Sequence, residues 1–386
     1  MTSSTYDSYR PPEEPRKKKR RRFTGATGEH SQLGGIKAKL SRSGAGARTA
    51  SDGSREMPMV AEAEFTSYYG RPVIKPPPWG HEIATYMFLG GVAGGSSLLA
   101  LGADVTGRES LRRNTRITAL AATGIGAIAL IYDLGRPERF LNMMRTFKVT
   151  SPMNLGSWIL GAFGTSAGVA AAAEVERLLT PHVPLLQRKL FELLRAVLYR
   201  VERPAGIAAA VCATPLASYT AVLLSDTANP TWNALKDHLP FVFVSSASLA
   251  AGGVAMLTTN PRHTVPARIM ACLGVAGEVA AMRMAHKAVH PVIAESLSVG
   301  APGKQLKWAE RLTIAGGIGA AVLGKWRPAA CVAGGVLAAA SALTRFGILE
   351  AGIHSAKDPK YTIEPQKARL AERRRRGIVD DSITTV

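Results

Sequence analysis

The chain has 386 residues, 46% of them hydrophobic, three cysteines and a formal net charge of +20. In a soluble chain that charge would suggest a nucleic-acid partner, but here the basic residues gather in the tails and between long apolar blocks, which excludes that reading. Cys212, Cys272 and Cys331 stand alone inside apolar blocks without the CxxC spacing of a cluster or zinc site, and read as small apolar side chains.

Residues 1–75 are rich in Gly, Ser, Pro, Lys and Arg, include the basic run 16–22, and show no apolar periodicity. They predict a disordered basic N-terminal tail, without the layout of a signal peptide. Uncharged runs then follow at 83–103, 117–132, 149–173, 204–225 and 239–261. Each meets or approaches the roughly 20 residues that a membrane-crossing helix needs. Between the third and fourth runs, Leu186, Leu190, Leu193, Leu194 and Val197 recur at helical spacing, which predicts a surface helix at the bilayer interface.

A sixth run, 267–289, is interrupted by Glu278 and Arg283; a seventh has 13 uncharged residues between Arg311 and Lys325; an eighth covers 328–344. The expectation is an all-α, multi-pass membrane protein of about eight transmembrane helices in the cell membrane. The stretch 87–95 resembles 241–253 in its paired glycines, which suggests two four-helix bundles, 76–230 and 231–353, before a polar basic tail at 354–386. Small residues at such positions serve close helix packing in any case. Basic residues in the short loops and in the tails favour opposite faces as cytoplasmic, so the orientation stays open.

If the spans alternate in direction, one face collects Glu82, Tyr86, Tyr132, Asp133, Asn154, Ser157, Tyr219, Thr220 and Asp226. Glu82 and Tyr86, four residues apart, share one side of a helix. Ionisable groups inside spans are costly and usually functional. A poorly hydrated carboxyl can exchange a proton near neutrality, and a tyrosine hydroxyl can donate to a carbonyl oxygen. A quinone headgroup suits that set as an exchangeable substrate. Each residue alone also has an ordinary reading: tyrosine as interfacial belt, and Asp133 with Arg136 as a loop-fixing ion pair. The histidines lie at span edges without matched partners, so no bound haem, iron-sulfur cluster or metal is expected. Glu278 and Arg283 read either as a buried pair or as a proton path. The second choice would make the protein a transporter or proton channel built on two repeats.

Four segments occur in order: 79–86 (WGHEIATY) with 90–95 (GGVAGG), 133–140 (DLGRPERF), 150–158 (TSPMNLGSW) and 218–224 (SYTAVLL). Together they resemble the NrfD/PsrC family, the membrane subunits of polysulfide reductase and of related molybdenum-enzyme and cytochrome nitrite reductase complexes. The resemblance is close over 79–260. It implies eight helices in two bundles, no cofactor within the subunit, and a site for menaquinone or another quinone in the first bundle. It also implies an iron-sulfur electron-transfer subunit and a molybdopterin catalytic subunit as partners. The quinone ligands would be Glu82, Tyr86, Tyr219 and Thr220, with Glu82 and Asp133 handling protons and Arg136 and Asn154 at the entrance or against the partner.

Overall fold

The computed structural model describes residues 72–134, 137–183 and 189–377. The basic run at 16–22 and Arg136 lie outside them. Eleven α-helices occur among the described residues: α1 (His81–Val105), α2 (Glu109–Asp133), α3 (Pro152–Leu179), α4 (Lys189–Ser225), α5 (Pro230–Ala234), α6 (Leu239–Thr258), α7 (Val265–Ala288), α8 (Pro291–Ser296), α9 (Gly300–Leu323), α10 (Arg327–Lys357) and α11 (Lys360–Arg375). A 3-10 turn covers Pro137–Met144.

Seven of these helices are long and apolar enough to cross a membrane: α1, α2, α3, α4 from Glu192 onward, α6, α7 and α10. The expected count of eight is thereby corrected to seven. Helix α9 is 24 residues long, but Lys304, Lys307, Glu310 and Arg311 charge its first half. It runs antiparallel along α10 as one arm of a hairpin, with Gln305 bonded to Glu350 and Gly316 against Leu337.

The surface helix expected near 185–201 is not a separate element. Its described part is the leading section of α4, which continues through Pro204 and Pro215 to Ser225. Membrane helices tolerate internal prolines where neighbours satisfy the freed carbonyls. This section leans on α3: Arg195 reaches Glu176 at 2.6 Å, Tyr199 donates to the same carboxylate, and Arg177 reaches Glu202 at 2.5 Å. The expected C-terminal tail is also helical as far as Arg375, because α10 extends to Lys357 and α11 follows. Lys360 fixes that turn by an ion pair to Glu295 at 2.6 Å, which holds its ammonium pKa above the usual lysine value.

Helix α1 is central, packed against α2, α4, α6 and α10. Glycines permit this. A methyl at Gly94 would meet the Ala213 carbonyl oxygen of α4 at 2.8 Å, and one at Gly95 would meet Ala251 of α6 at 2.5 Å. Gly253 of α6 and Gly334 of α10 face each other as closely. Of the paired glycines seen in the sequence, Gly91, Gly94, Gly95, Gly252 and Gly253 lie at helix crossings, as small residues do in membranes, while Gly90 faces open space.

The opposite end of α1 is held by charge. Glu174 of α3, almost wholly buried, accepts from Arg112 at 2.9 Å and Arg116 at 3.0 Å and pairs with Arg177 at 3.1 Å. Asp104 pairs with Arg112 at 3.2 Å, and Glu202 with Arg116 at 3.2 Å, so α1, α2, α3 and α4 share one network. Removing one partner from a buried network strands the others. Glu174→Ala should therefore destabilise the fold by about 3–5 kcal/mol, read as a lower unfolding midpoint of the purified protein in detergent.

Candidate functional site

The start of α1 is fixed before its first turn. Trp79 stacks on Trp232 with centroids 5.4 Å apart, and His81 stacks on Phe346 at 5.7 Å. Trp232 is wholly buried, donates to the Ile348 carbonyl at 2.8 Å and lies flat on Gly352, where a methyl would come within 2.0 Å of the ring. Asn229 caps α5 and donates to the Gly352 carbonyl at 2.7 Å, so the loop after α4 is bound to α10.

At this anchored end two carboxylates converge. Glu82 stands in the first turn of α1 with its carboxylate folded back over Gly80, where a methyl would lie 2.2 Å from Oε2. The positive end of the helix dipole favours an anion there. Asp133, the last residue of α2, lies beside the Gly80 backbone N–H and near enough for the charge of Glu82 to act on it.

One turn deeper the two tyrosines meet. The Tyr86 and Tyr219 hydroxyls are hydrogen-bonded, and their rings meet edge to face with centroids 6.4 Å apart. Small residues make the space. A methyl at Gly156 of α3 would strike the Tyr219 ring at 2.2 Å, and Gly126 of α2 faces the Tyr86 ring at 3.4 Å. Four helices therefore contribute to one pocket of side chains: α1 and α4 the hydroxyls, α2 and α3 the room. In such a pair one hydroxyl donates to the other, which leaves the acceptor's own proton available to a further oxygen. Thr220 is buried next to Tyr219.

The rest of the expected ring separates. Tyr132 is 78% exposed on the outer side of α2, where tyrosine serves as belt material. Asp226 is exposed after α4. Asn154 holds the loop before α3: it accepts from the Lys148 N–H at 2.7 Å and donates to the Met143 and Thr146 carbonyls at 3.2 and 3.0 Å. Ser157 bonds back to the Met153 carbonyl.

Glu278 and Arg283 do not pair. Arg283 is 65% exposed and lies 3.8 Å from Glu310, whereas Glu278 points into the core and accepts from Thr344. Five residues along a helix is about 500°, which puts the two on different sides. The cation that faces Glu278 is Arg345, wholly buried in α10. The sequence carried its signal, a lone arginine flanked by apolar residues, but ending the eighth run at Thr344 made it look like a boundary.

Residues 73–286 match the family model described as polysulphide reductase, NrfD. The protein belongs to the NrfD family. The NrfD homolog of Haemophilus influenzae is 27% identical over 46% of this sequence and 57% of its own length. NrfD of Escherichia coli is 28% identical over 48% of this sequence and 63% of its own length. A polysulfide reductase subunit of Wolinella succinogenes is 26% identical over 38% of this sequence and 47% of its own length. The matched region thus spans about half of these curated relatives. The family match at 73–286 covers α1 to α6, α7 up to its last two residues, and every residue of the tyrosine and carboxylate cluster. With seven apolar helices, this NrfD-family member is a multi-pass membrane protein.

The tightness around Tyr219 can be tested directly. Gly156→Ala should displace the ring and cost about 1–3 kcal/mol. Its tyrosine ultraviolet difference spectrum should come to resemble that of Tyr219→Phe, which lacks the hydroxyl pair.

Proposed function

We propose that this protein is the quinone-reactive membrane subunit of an oxidoreductase, passing electrons between an iron-sulfur partner and the quinone pool. The observation that carries the reading is the Tyr86–Tyr219 hydroxyl pair, one turn inside the paired carboxylates Glu82 and Asp133, at a single end of α1. Two features fit a quinone headgroup. The accepting tyrosine keeps a proton for a carbonyl oxygen, and two carboxylates stand between that oxygen and water. The Wolinella relative carries the name of one lettered subunit of a reductase, which supports a multi-subunit setting for this protein.

Reduction of a quinone to a quinol takes two electrons and two protons. In this reading the electrons come from the iron-sulfur subunit, itself served by a molybdopterin catalytic subunit. The protein's own residues hold the headgroup and supply protons. A tyrosine hydroxyl fixes one carbonyl oxygen, Tyr219 and Tyr86 keep each other oriented, and Glu82 and Asp133 relay protons from the aqueous face. Glu82 is exposed to water, while Asp133 lies beside the Gly80 N–H, close to it. Asn154 keeps the adjoining loop in register.

Glu82→Gln should leave the complex assembled and lower its quinone-linked turnover about tenfold or more, within the range of positioned acid–base groups. Tyr219→Phe should weaken quinone binding at unchanged assembly. The measurement is turnover with a soluble quinone analogue, together with extraction of bound quinone after mild-detergent purification from native membranes. Wild-type turnover in both assembled variants, or a purified complex without quinone, would sink the reading.

A further inference from the structure

The most deeply placed charges in the protein lie away from the tyrosine pair. Glu278 of α7 and Arg345 of α10 face each other between α6, α7 and α10, 3% and 0% exposed. The Thr344 hydroxyl donates to Glu278 Oε1 at 2.6 Å, and Ser246 of α6 faces the same carboxyl while its hydroxyl is bonded to that of Ser341 at 2.8 Å. Arg345 donates through Nη2 to the Phe243 carbonyl oxygen at 2.6 Å, with its guanidinium carbon 3.6 Å from the centre of the Phe243 ring. Among the described residues, Glu278 Oε2 and Arg345 Nε and Nη1 have no hydrogen-bond partner. The two side chains make no direct ion pair.

Such an arrangement is ill suited to a purely structural role. A structural ion pair gains by contact and by satisfying every remaining lone pair and proton. Here contact is lacking and three polar atoms remain free. The hydroxyls around Glu278 can donate to a carboxylate or accept from a carboxylic acid, and Oε2 is open on the other side, so the site has partners for either form of the group. The other surroundings do not compete. Among the described residues, α6 brings Ser246, the Phe243 carbonyl and, against Gly277, the Ser245 hydroxyl, none of them charged; α9 carries the buried Thr313, with Glu310 turned outward to Arg283. On α1 the ionisable residues nearest to Gly91 along the helix are Tyr86 and Glu82; on α7 itself Arg283 points away. On α10, Glu350, bonded to Gln305 at 2.9 Å, and His354, stacked edge-on against Tyr361, lie five and nine residues from Arg345 and so on other sides of the helix.

We infer that Glu278 is a reversible proton-binding site inside the bilayer, with Arg345 as the positioning charge that sets its affinity. Arg345 also touches the helix of the quinone reading: a methyl at Gly91 of α1 would lie 3.4 Å from Nη2, and Gly91 is five residues, about 7.5 Å of helix rise, from Tyr86. The acid and the tyrosine helix thus share one guanidinium. Proton binding at Glu278 is a property of this protein alone and does not depend on the quinone assignment.

The test is infrared difference spectroscopy of the purified, lipid-reconstituted protein stepped through a range of pH. The expected result is a carboxylic-acid carbonyl band that grows toward low pH, shifts in heavy water and is lost in Glu278→Gln. Removing the positive charge in Arg345→Gln should raise the midpoint of that band by about one to three pH units, while Arg345→Lys, which keeps the charge, should move it less. If Glu278→Gln does not fold, Glu278→Asp serves instead and should shift the band and its midpoint. A band that survives in Glu278→Gln, a spectrum without any such band, or a midpoint unmoved in Arg345→Gln would each overturn the inference. None of these readouts needs quinone turnover, so they fail or succeed apart from the Tyr219→Phe experiment.

Discussion

Close approach of backbones at α1 is the constraint on which the rest of the structure depends. Within a bilayer there is little hydrophobic gain in pressing one apolar helix against another, so the fit of surfaces decides which helices meet. Gly94 lets α4, and Gly91 and Gly95 let α6, come against one helix, and Gly91 leaves room for the Arg345 guanidinium of α10. Once α1 is enclosed, its polar residues have only fixed neighbours. Tyr86 then meets Tyr219, and Arg345 finds space opposite Gly91. The polar features of the protein are consequences of where glycines allow helices to touch.

Much of this was legible in the sequence, and the limits have physical causes. Alternation of spans brought Glu82, Tyr86, Asp133 and Tyr219 to one end, because that argument needs only the span order. It could not distinguish Tyr86, facing inward, from Tyr132, facing out, since a uniformly apolar helix has little amphipathic signal to mark its inner side. Charges misled where they were taken as boundaries. Arg345 lies inside α10, and Glu174 and Arg177 lie inside α3, all held by partners that come from distant parts of the sequence. For Glu278 the depth in its span called for partners in the second half of the sequence, and these are Thr344 and Arg345 of α10, while Arg283, five positions on, turns outward to Glu310. The glycine pairs were read correctly as packing devices.

The protein separates two kinds of polar centre by their access to water. At one end of α1, Glu82 is exposed while Tyr86 one turn deeper is covered, a gradient from aqueous to dry over a single turn. In the second half of the sequence, Glu278 is dry throughout and is surrounded by hydroxyls rather than by counter-charges in contact. The first arrangement suits exchange with a ligand that arrives along the membrane. The second suits an internal store of charge.

The stack of Trp79 on Trp232, and the seat of Trp232 on Gly352, have a consequence for synthesis. Of the described membrane helices, the first in sequence, α1, completes its surroundings only when a stretch made 116 residues after Trp232 has been inserted. Until then the Trp79 end of α1 and the Trp232 ring on which it stacks lack their seat on Gly352. Biogenesis of this protein therefore includes a late helix closing upon an early one, and truncation before α10 would leave α1 without its final partners.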